Sequence, residues 1–446
     1  MKDQYYVIRP DGRVNSAEAY LESGAGSDSF RLFVLREAQR AGVNRGSEGK
    51  PAYLAIAKKL GFGWEPNADI GIVQYDYKAN LMRRLVQDYA RQLVSAVGLP
   101  MYEVNGSNLF NLDHPVVAAY AHLYGDRLYQ FKSGNNQLVM SYDASYPQFN
   151  LAKQHGLNYK NLPFAHFSLS DCYRAEQSGE CMLLYRQRRF YMPDIHPYFR
   201  DVAQAFKWFP KLQEQILASG RELNRDYEVC IEVSSPEYWE QYRDEIAKVA
   251  ASLGRDVLAG IINDGADRYW IINVDYKIMD ALGQSREIAC IQIDVGNAPR
   301  LGIQYVDEQG DSRHPVIIHS AIPGGIERYL YAALDRFPDG LPLWLYPVHI
   351  RLVPVSDKYV DLCRQLGAKL AGQPVRLEID DRNDSVGKKV RQAREDLVPY
   401  AIVIGEQEAL GGSVKLDQAV REIASSGSNK PFIPREWPEL LSQQIR

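Results

Sequence analysis

The sequence predicts an α+β unit, an antiparallel sheet flanked by helices, followed by a smaller α/β domain. Strand-like runs in the middle of the chain (two within 164–199, then 227–233, 269–276 and 288–295) are separated by hairpins or long insertions, which suits antiparallel pairing. Past Asp339-Gly340-Leu341-Pro342 the pattern changes to strand–helix alternation, as a small parallel sheet requires. Neither a GxGxxG after a first strand nor a GxxxxGK[ST] occurs, so the phosphate-cradling loops of doubly wound folds are excluded.

Composition narrows the function class. A chain of 446 residues has room for two to four domains. Hydrophobic residues at 46% and charged residues at 24% are ordinary for a soluble enzyme. A net charge of −4 argues against a protein that coats nucleic acid, DNA included, along its whole surface, but leaves room for a local basic face. The five cysteines (Cys172, Cys181, Cys230, Cys290, Cys363) are odd in number and show no CxxC spacing, which points to reduced thiols and a cytoplasmic location. No apolar run reaches the ~18 residues of a membrane span, and no signal-peptide core follows Met1-Lys2-Asp3.

Taken in order, residues 1–65 read as a small appendage with a strand at 5–9, a Gly/Ser loop at 24–29 and helices at 31–41 and 52–60. A main unit is expected over 66–338. In it, 78–97 is an amphipathic helix with Leu81, Leu85, Tyr89 and Leu93 recurring every four residues. Residues 109–129 are loop and short helix leading to a strand at 137–142. The stretch 164–199 is two strands joined by a charged turn, Gln177-Ser178-Gly179-Glu180, with Arg174 and Glu176 entering it and Arg186, Arg188, Arg189 and Phe190 leaving it. Arginines at strand ends can grip phosphate bidentately, and an aromatic offers a face to a purine; a salt-bridged surface hairpin is the plain alternative. A helix is expected at 236–253. The α/β domain, 342–428, should have strands at 349–355, 375–380 and 400–405 and helices at 358–370 and 386–395. The fully apolar 400–405 strand is expected in the middle of its sheet. Residues 429–446 form a proline-containing tail expected to wrap over a surface.

The hairpin together with Gly324-Gly325-Ile326-Glu327-Arg328 resembles motifs 2 and 3 of the class II aminoacyl-tRNA synthetases. The likeness runs from YYVIRPDG to PFIPREWPELLS and is greatest to the archaeal-type threonyl-tRNA synthetase family, in the short form without an amino-terminal editing domain. It implies a class II catalytic unit and, through DDRNDSVGKKVRQA, Val398-Pro399-Tyr400 and GEQEALGGSVKL, an anticodon-binding domain. It implies ATP with Mg²⁺, threonine and tRNA as ligands, a homodimer built on the 78–97 helix, and a separate protein that clears mischarged tRNA.

The resemblance also assigns roles. Arg174 would hold the α-phosphate and the amino-acid carboxylate. Arg328 would lie against adenine and reach the γ-phosphate, with Phe190 on the other face of the base. Glu176 would meet the adenine amino group and Arg186 the terminal phosphates. Asp194, Tyr269 and Gln292 would line the amino-acid pocket, Gln292 also bordering ATP. Asn383, Arg391 and Glu408 would read anticodon bases, beside a basic run of Lys388, Lys389, Arg391 and Arg394. In the family a zinc ion sits on two histidines and a cysteine. His196 and His319 match the histidines, but Ser145 stands at the cysteine position, and a neutral hydroxyl is a far poorer zinc ligand than a thiolate. Asn273 stands where many relatives have lysine. Two other readings stay open: a paralogue that activates a different amino acid or serves a non-tRNA acceptor, and a non-catalytic tRNA-binding or regulatory paralogue.

Overall fold

A computed structural model of the chain describes residues 4–38, 51–177, 179–264 and 268–426. The 429–446 tail lies outside them. Ten strands form the main sheet: β1 (Gln4–Ile8), β2 (Val14–Ser16), β3 (Met101–Glu103), β4 (Phe164–Tyr173), β5 (Arg189–Phe199), β6 (Glu228–Val233), β7 (Val257–Ile261), β8 (Trp270–Met279), β9 (Ser285–Asp294) and β10 (Val316–Ala321). Their spatial order is β2-β1-β7-β6-β8-β9-β10-β5-β4-β3. Only β3 with β4 and β6 with β7 pair parallel, so the sheet is antiparallel through its centre. The opening segment supplies β1, which pairs with β7, and so extends the main sheet.

The two-residue period of a strand sorts the central residues onto two faces. Ile195, Ile291, Ile293 and Ile318 point into the large core, which is closed by α1 (Tyr77–Ala96), α3 (Val202–Glu222) and α4 (Ile326–Asp335). Their neighbours Asp194 and His196, Gln292 and Asp294, and His319 therefore point the other way, toward α2 (Ser145–Gln154). Cross-strand register puts Gln292 opposite His319 and Asp194 opposite Ala321.

The amphipathic stripe of α1 is buried within its own chain, with Leu81 and Leu85 in the same core as Tyr329 and Leu330 of α4. Asp76 caps the helix by accepting from the backbone N–H groups of Lys78 and Ala79. Ahead of α4, Gly324 has φ +116°, and a Cβ there would meet the Ile288 carbonyl oxygen at 2.2 Å. Only glycine lets this loop pass so close to β9, and that approach brings Arg328 over the sheet.

Two expectations are corrected. The helix expected over 236–253 is two helices, Pro236–Gln241 and Arg243–Ser252, broken at Tyr242. In the carboxy-terminal sheet, made of β11 (Ile350–Pro354), β12 (Leu377–Ile379) and β13 (Tyr400–Ile404), the order is β12-β11-β13 and all pairing is parallel. The apolar β13 is thus an edge strand, covered by helices rather than flanked by strands, and β11 holds the centre.

Candidate active site

A cavity of about 370 Å³ opens on the polar face of the sheet, between α2, the β4–β5 hairpin and the start of α4. Arg174 and Arg328, 154 positions apart in sequence, both line it. So do Glu176, Arg186, Phe190, Asp194, Tyr269, Gln292, Ser145 and His319. A larger cavity of about 610 Å³ lies elsewhere, against Phe30 and Arg255, and none of the expected site residues reaches it.

At the hairpin end the cations have unequal partners. Arg328 donates to Glu287 (2.8 Å) and lies over the Tyr185 ring, 5.1 Å from its centroid. Arg186 sits 3.4 Å from Glu180 and 3.9 Å from Glu176, and Glu176 also accepts from Arg127. Arg174 has no carboxylate in ion-pair range among the described residues. Its Nε donates to the Tyr142 carbonyl at 3.0 Å, and its guanidinium lies 5.5 Å from the Tyr124 ring and 5.2 Å from Phe190. A guanidinium held by neutral groups keeps its charge free for an incoming anion.

In the first turn of α4, Glu327 is buried, accepting from the Tyr75 hydroxyl and from the Tyr191 N–H at 3.0 Å. Burial pushes its carboxyl up to about 7.

The far end is polar but compact. Asp143 fixes the start of α2: one of its oxygens accepts from the Tyr120 and Tyr124 hydroxyls, both at 2.6 Å, and the other from the Ser145 N–H at 3.2 Å. Ser145 Oγ then lies 3.0 Å from His196 Nε2 and 3.4 Å from His319 Nδ1. The two ring nitrogens are 3.2 Å apart, and His319 Nε2 is 2.7 Å from Asp294. Asp194 Oδ2 is 3.8 Å from His196 Nε2. Burial pushes the Asp194 carboxyl up to about 7 and holds the His196 imidazole neutral, well below its ordinary range. On the neighbouring wall Tyr269 donates to Gln292 (2.9 Å), Gln292 to Asn273 (3.2 Å), and Asn273 to Asp275 (2.9 Å) and Glu232 (3.2 Å).

These donors do not fit the zinc that the resemblance implies. The third ligand would be the neutral Ser145 hydroxyl. A ligating imidazole ordinarily donates its other N–H to a fixed acceptor, yet His196 Nδ1 is buried with no partner. Among the described residues no three His, Cys, Asp or Glu side chains are gathered to hold a metal ion, although Cys290 lines the same cavity.

Sequence reasoning missed Arg127, Asp143, Glu287 and Asp294. Each takes its role from a partner distant in sequence, so no spacing marks it. The residues expected at the anticodon lie in the carboxy-terminal unit. Asn383 and Arg391 are exposed, whereas Glu408 accepts from the Gly405 N–H at 2.9 Å and closes the first turn of its own helix. The basic run is not one surface. On α5 (Val386–Glu395), Lys389 is buried with its amine 3.4 Å from the Pro354 carbonyl, while Lys388 pairs with Asp384 at 2.7 Å.

Residues 129–337 match the family model described as the tRNA synthetase class II core domain (G, H, P, S and T), and residues 349–422 match an anticodon binding domain. The chain is similar to a threonine–tRNA ligase of Thermofilum pendens, 38% identical over 99% of this chain and 75% of the relative. A threonine–tRNA ligase of Staphylothermus marinus is 35% identical over 100% of this chain and 75% of its own length. Among solved structures, the RNA binding domain of threonyl-tRNA synthetase from Cryptosporidium parvum aligns with a TM-score of 0.73 at 21% identity, over 84% of this chain and 98% of that one. Giardia lamblia prolyl-tRNA synthetase in complex with prolyl-adenylate aligns at 0.63 and 14%, over 81% and 70%.

Proposed function

The chain belongs to the threonine–tRNA ligase family of class II aminoacyl-tRNA synthetases, and from that premise we propose that it activates threonine with ATP and passes the acyl group to tRNA. The observation that carries this reading is the shared cavity of Arg174 and Arg328, in which, among the described residues, Arg174 alone of the four lining arginines has no carboxylate in ion-pair range.

Activation joins two anions: the amino-acid carboxylate attacks the α-phosphate and pyrophosphate leaves. Fixed cations and alignment are therefore the main service, and no nucleophilic side chain is needed. In this reading Arg174 bridges carboxylate and α-phosphate. Arg328, steadied by Glu287, takes the adenine face and the γ-phosphate, with Phe190 opposite. Arg186 takes the terminal phosphates and Glu176 the adenine amino group. Class II synthetases use ATP with Mg²⁺. Glu287, on the cavity wall, would offer that cation a hard carboxylate oxygen. Asp194 receives the α-amine, and Tyr269 and Gln292 shape the pocket beside it.

The same reading assigns 66–338 to catalysis and 342–428 to the anticodon, with Asn383, Arg391 and Glu408 as base-reading candidates. It carries the homodimer, the cytoplasmic location and the separate editing protein as expectations of the family. No helix of the described residues is long and apolar enough to cross a membrane.

Ser145 favours one second reading, in which the enzyme activates another small amino acid. Pyrophosphate exchange over all twenty amino acids decides between them. Exchange with threonine, followed by threonylation of tRNA, supports the first reading; exchange confined to another amino acid supports the second; no exchange refutes both.

A further inference from the structure

The protons of the polar cluster behind the amino-acid end of the cavity can be ordered. His319 Nε2 lies 2.7 Å from the Asp294 carboxylate and donates to it, and in the neutral ring Nδ1 is then an acceptor. That acceptor faces Ser145 Oγ at 3.4 Å. Ser145 has one proton to give and accepts in turn from His196 Nε2, 3.0 Å away. The His196 tautomer follows independently. Its Nδ1 is buried with no partner, and an orphaned acceptor costs less than an orphaned N–H, so the proton belongs on Nε2. The chain of donors runs His196 → Ser145 → His319 → Asp294, and the lone pairs a metal would need are already used.

What remains open toward the cavity is one acceptor lone pair on Ser145 and the carboxylate of Asp194, both on the cavity wall. We infer that this cluster is a closed, metal-free hydrogen-bond relay which, with Asp194, reads the side-chain hydroxyl of a small β-hydroxy amino acid. The hydroxyl donates to Asp194 or Ser145. An amino acid of the same shape without a hydroxyl still offers its amine to Asp194 but leaves the acceptor that the hydroxyl would fill, on Ser145 or the second Asp194 oxygen, buried and unpaired. A site built to bond a hydroxyl rejects the analogue lacking it by ~10⁴-fold, without any metal. As to substrate the inference rests on the ligase reading; as to the absence of a metal ligand set it does not.

The test uses the full chain, purified after expression with added zinc. Metal analysis by mass spectrometry should find well below one zinc per chain. The ratio of kcat/KM for threonine over valine in pyrophosphate exchange should survive 1,10-phenanthroline. Ser145→Ala should lower that ratio ~10-fold, by removing a hydrogen bond from a buried site, and Ser145→Cys should gain zinc. One zinc per wild-type chain, removed by the chelator together with the discrimination, overturns the inference. So does a Ser145→Ala enzyme with an unchanged ratio. If Ser145→Ala does not fold, the wild-type zinc content and chelator response decide. A chain that activates no amino acid refutes the ligase reading separately. The inference is then judged by zinc content and by thermal stabilisation, which threonine must confer and valine must not.

Discussion

The two ends of the cavity solve opposite electrostatic problems. At the hairpin end Arg186 and Arg328 lean on carboxylates, and Arg174 lies beside two aromatic rings with no counter-ion among the described residues. At the other end two imidazoles and a hydroxyl lie against the sheet, buried and bonded to one another and, through His319, to Asp294. Under the proposed ligase function, the first end holds charge ready for a polyanion whose own charge completes the site, and the second meets a small, nearly neutral side chain, where an unpaired charge would be costly. In that reading one end serves nucleotide chemistry and the other selects the amino acid.

Substitutions at each end should separate these tasks. Arg174→Ala should lower kcat of pyrophosphate exchange ~10³-fold with every amino acid tested, as loss of a fixed cation at the reacting phosphate does; an effect confined to one amino acid would break the contrast. Glu327 comes next. Its carboxyl is held near 7 when folded against about 4.5 ordinarily, so between those values the folded chain keeps a proton that the unfolded chain has lost. This group's contribution to stability therefore falls as pH rises from 4.5 through 7, by on the order of 3 kcal/mol. Glu327→Gln should remove that slope and raise the melting temperature at pH 8 relative to wild type, read by calorimetry at pH 5 and pH 8. Asp194→Asn should cost ~10²-fold in kcat/KM for the amino acid through loss of the amine's partner, while KM for ATP moves little. Smallest is Arg391→Glu, outside the cavity, which should lower kcat/KM for tRNA about tenfold and do so more at low salt.

Much of the site could be read locally. Arg174, Glu176, Arg186 and Phe190 fall on one hairpin whose strands announce themselves by apolar runs, and Arg328 follows a glycine pair that marks a sharp loop into a helix. Asp143 and Glu287 carried no such mark, because one works through Tyr120 and Tyr124 and the other through Arg328. The basic run on α5 illustrates the converse: composition suggested a continuous patch, but helical geometry turns Lys389 inward. Strand β13 was misplaced for a related reason. An apolar run reports burial on both faces, and covering helices bury an edge strand as well as neighbouring strands do.

The sequence by itself determined the two-part architecture, the helix with its four-residue stripe and the hairpin of arginines, since each is written in residue type and near-neighbour spacing; that a serine stands where relatives have a thiolate came from the resemblance. Only the tertiary structure decided that Arg174 and Arg328 share a cavity, and that Ser145, His196, His319 and Asp294 bond in a chain. Those relations depend on cross-strand register and on how a helix start meets a sheet face. Both are set by packing over the whole core, and no window of sequence contains them.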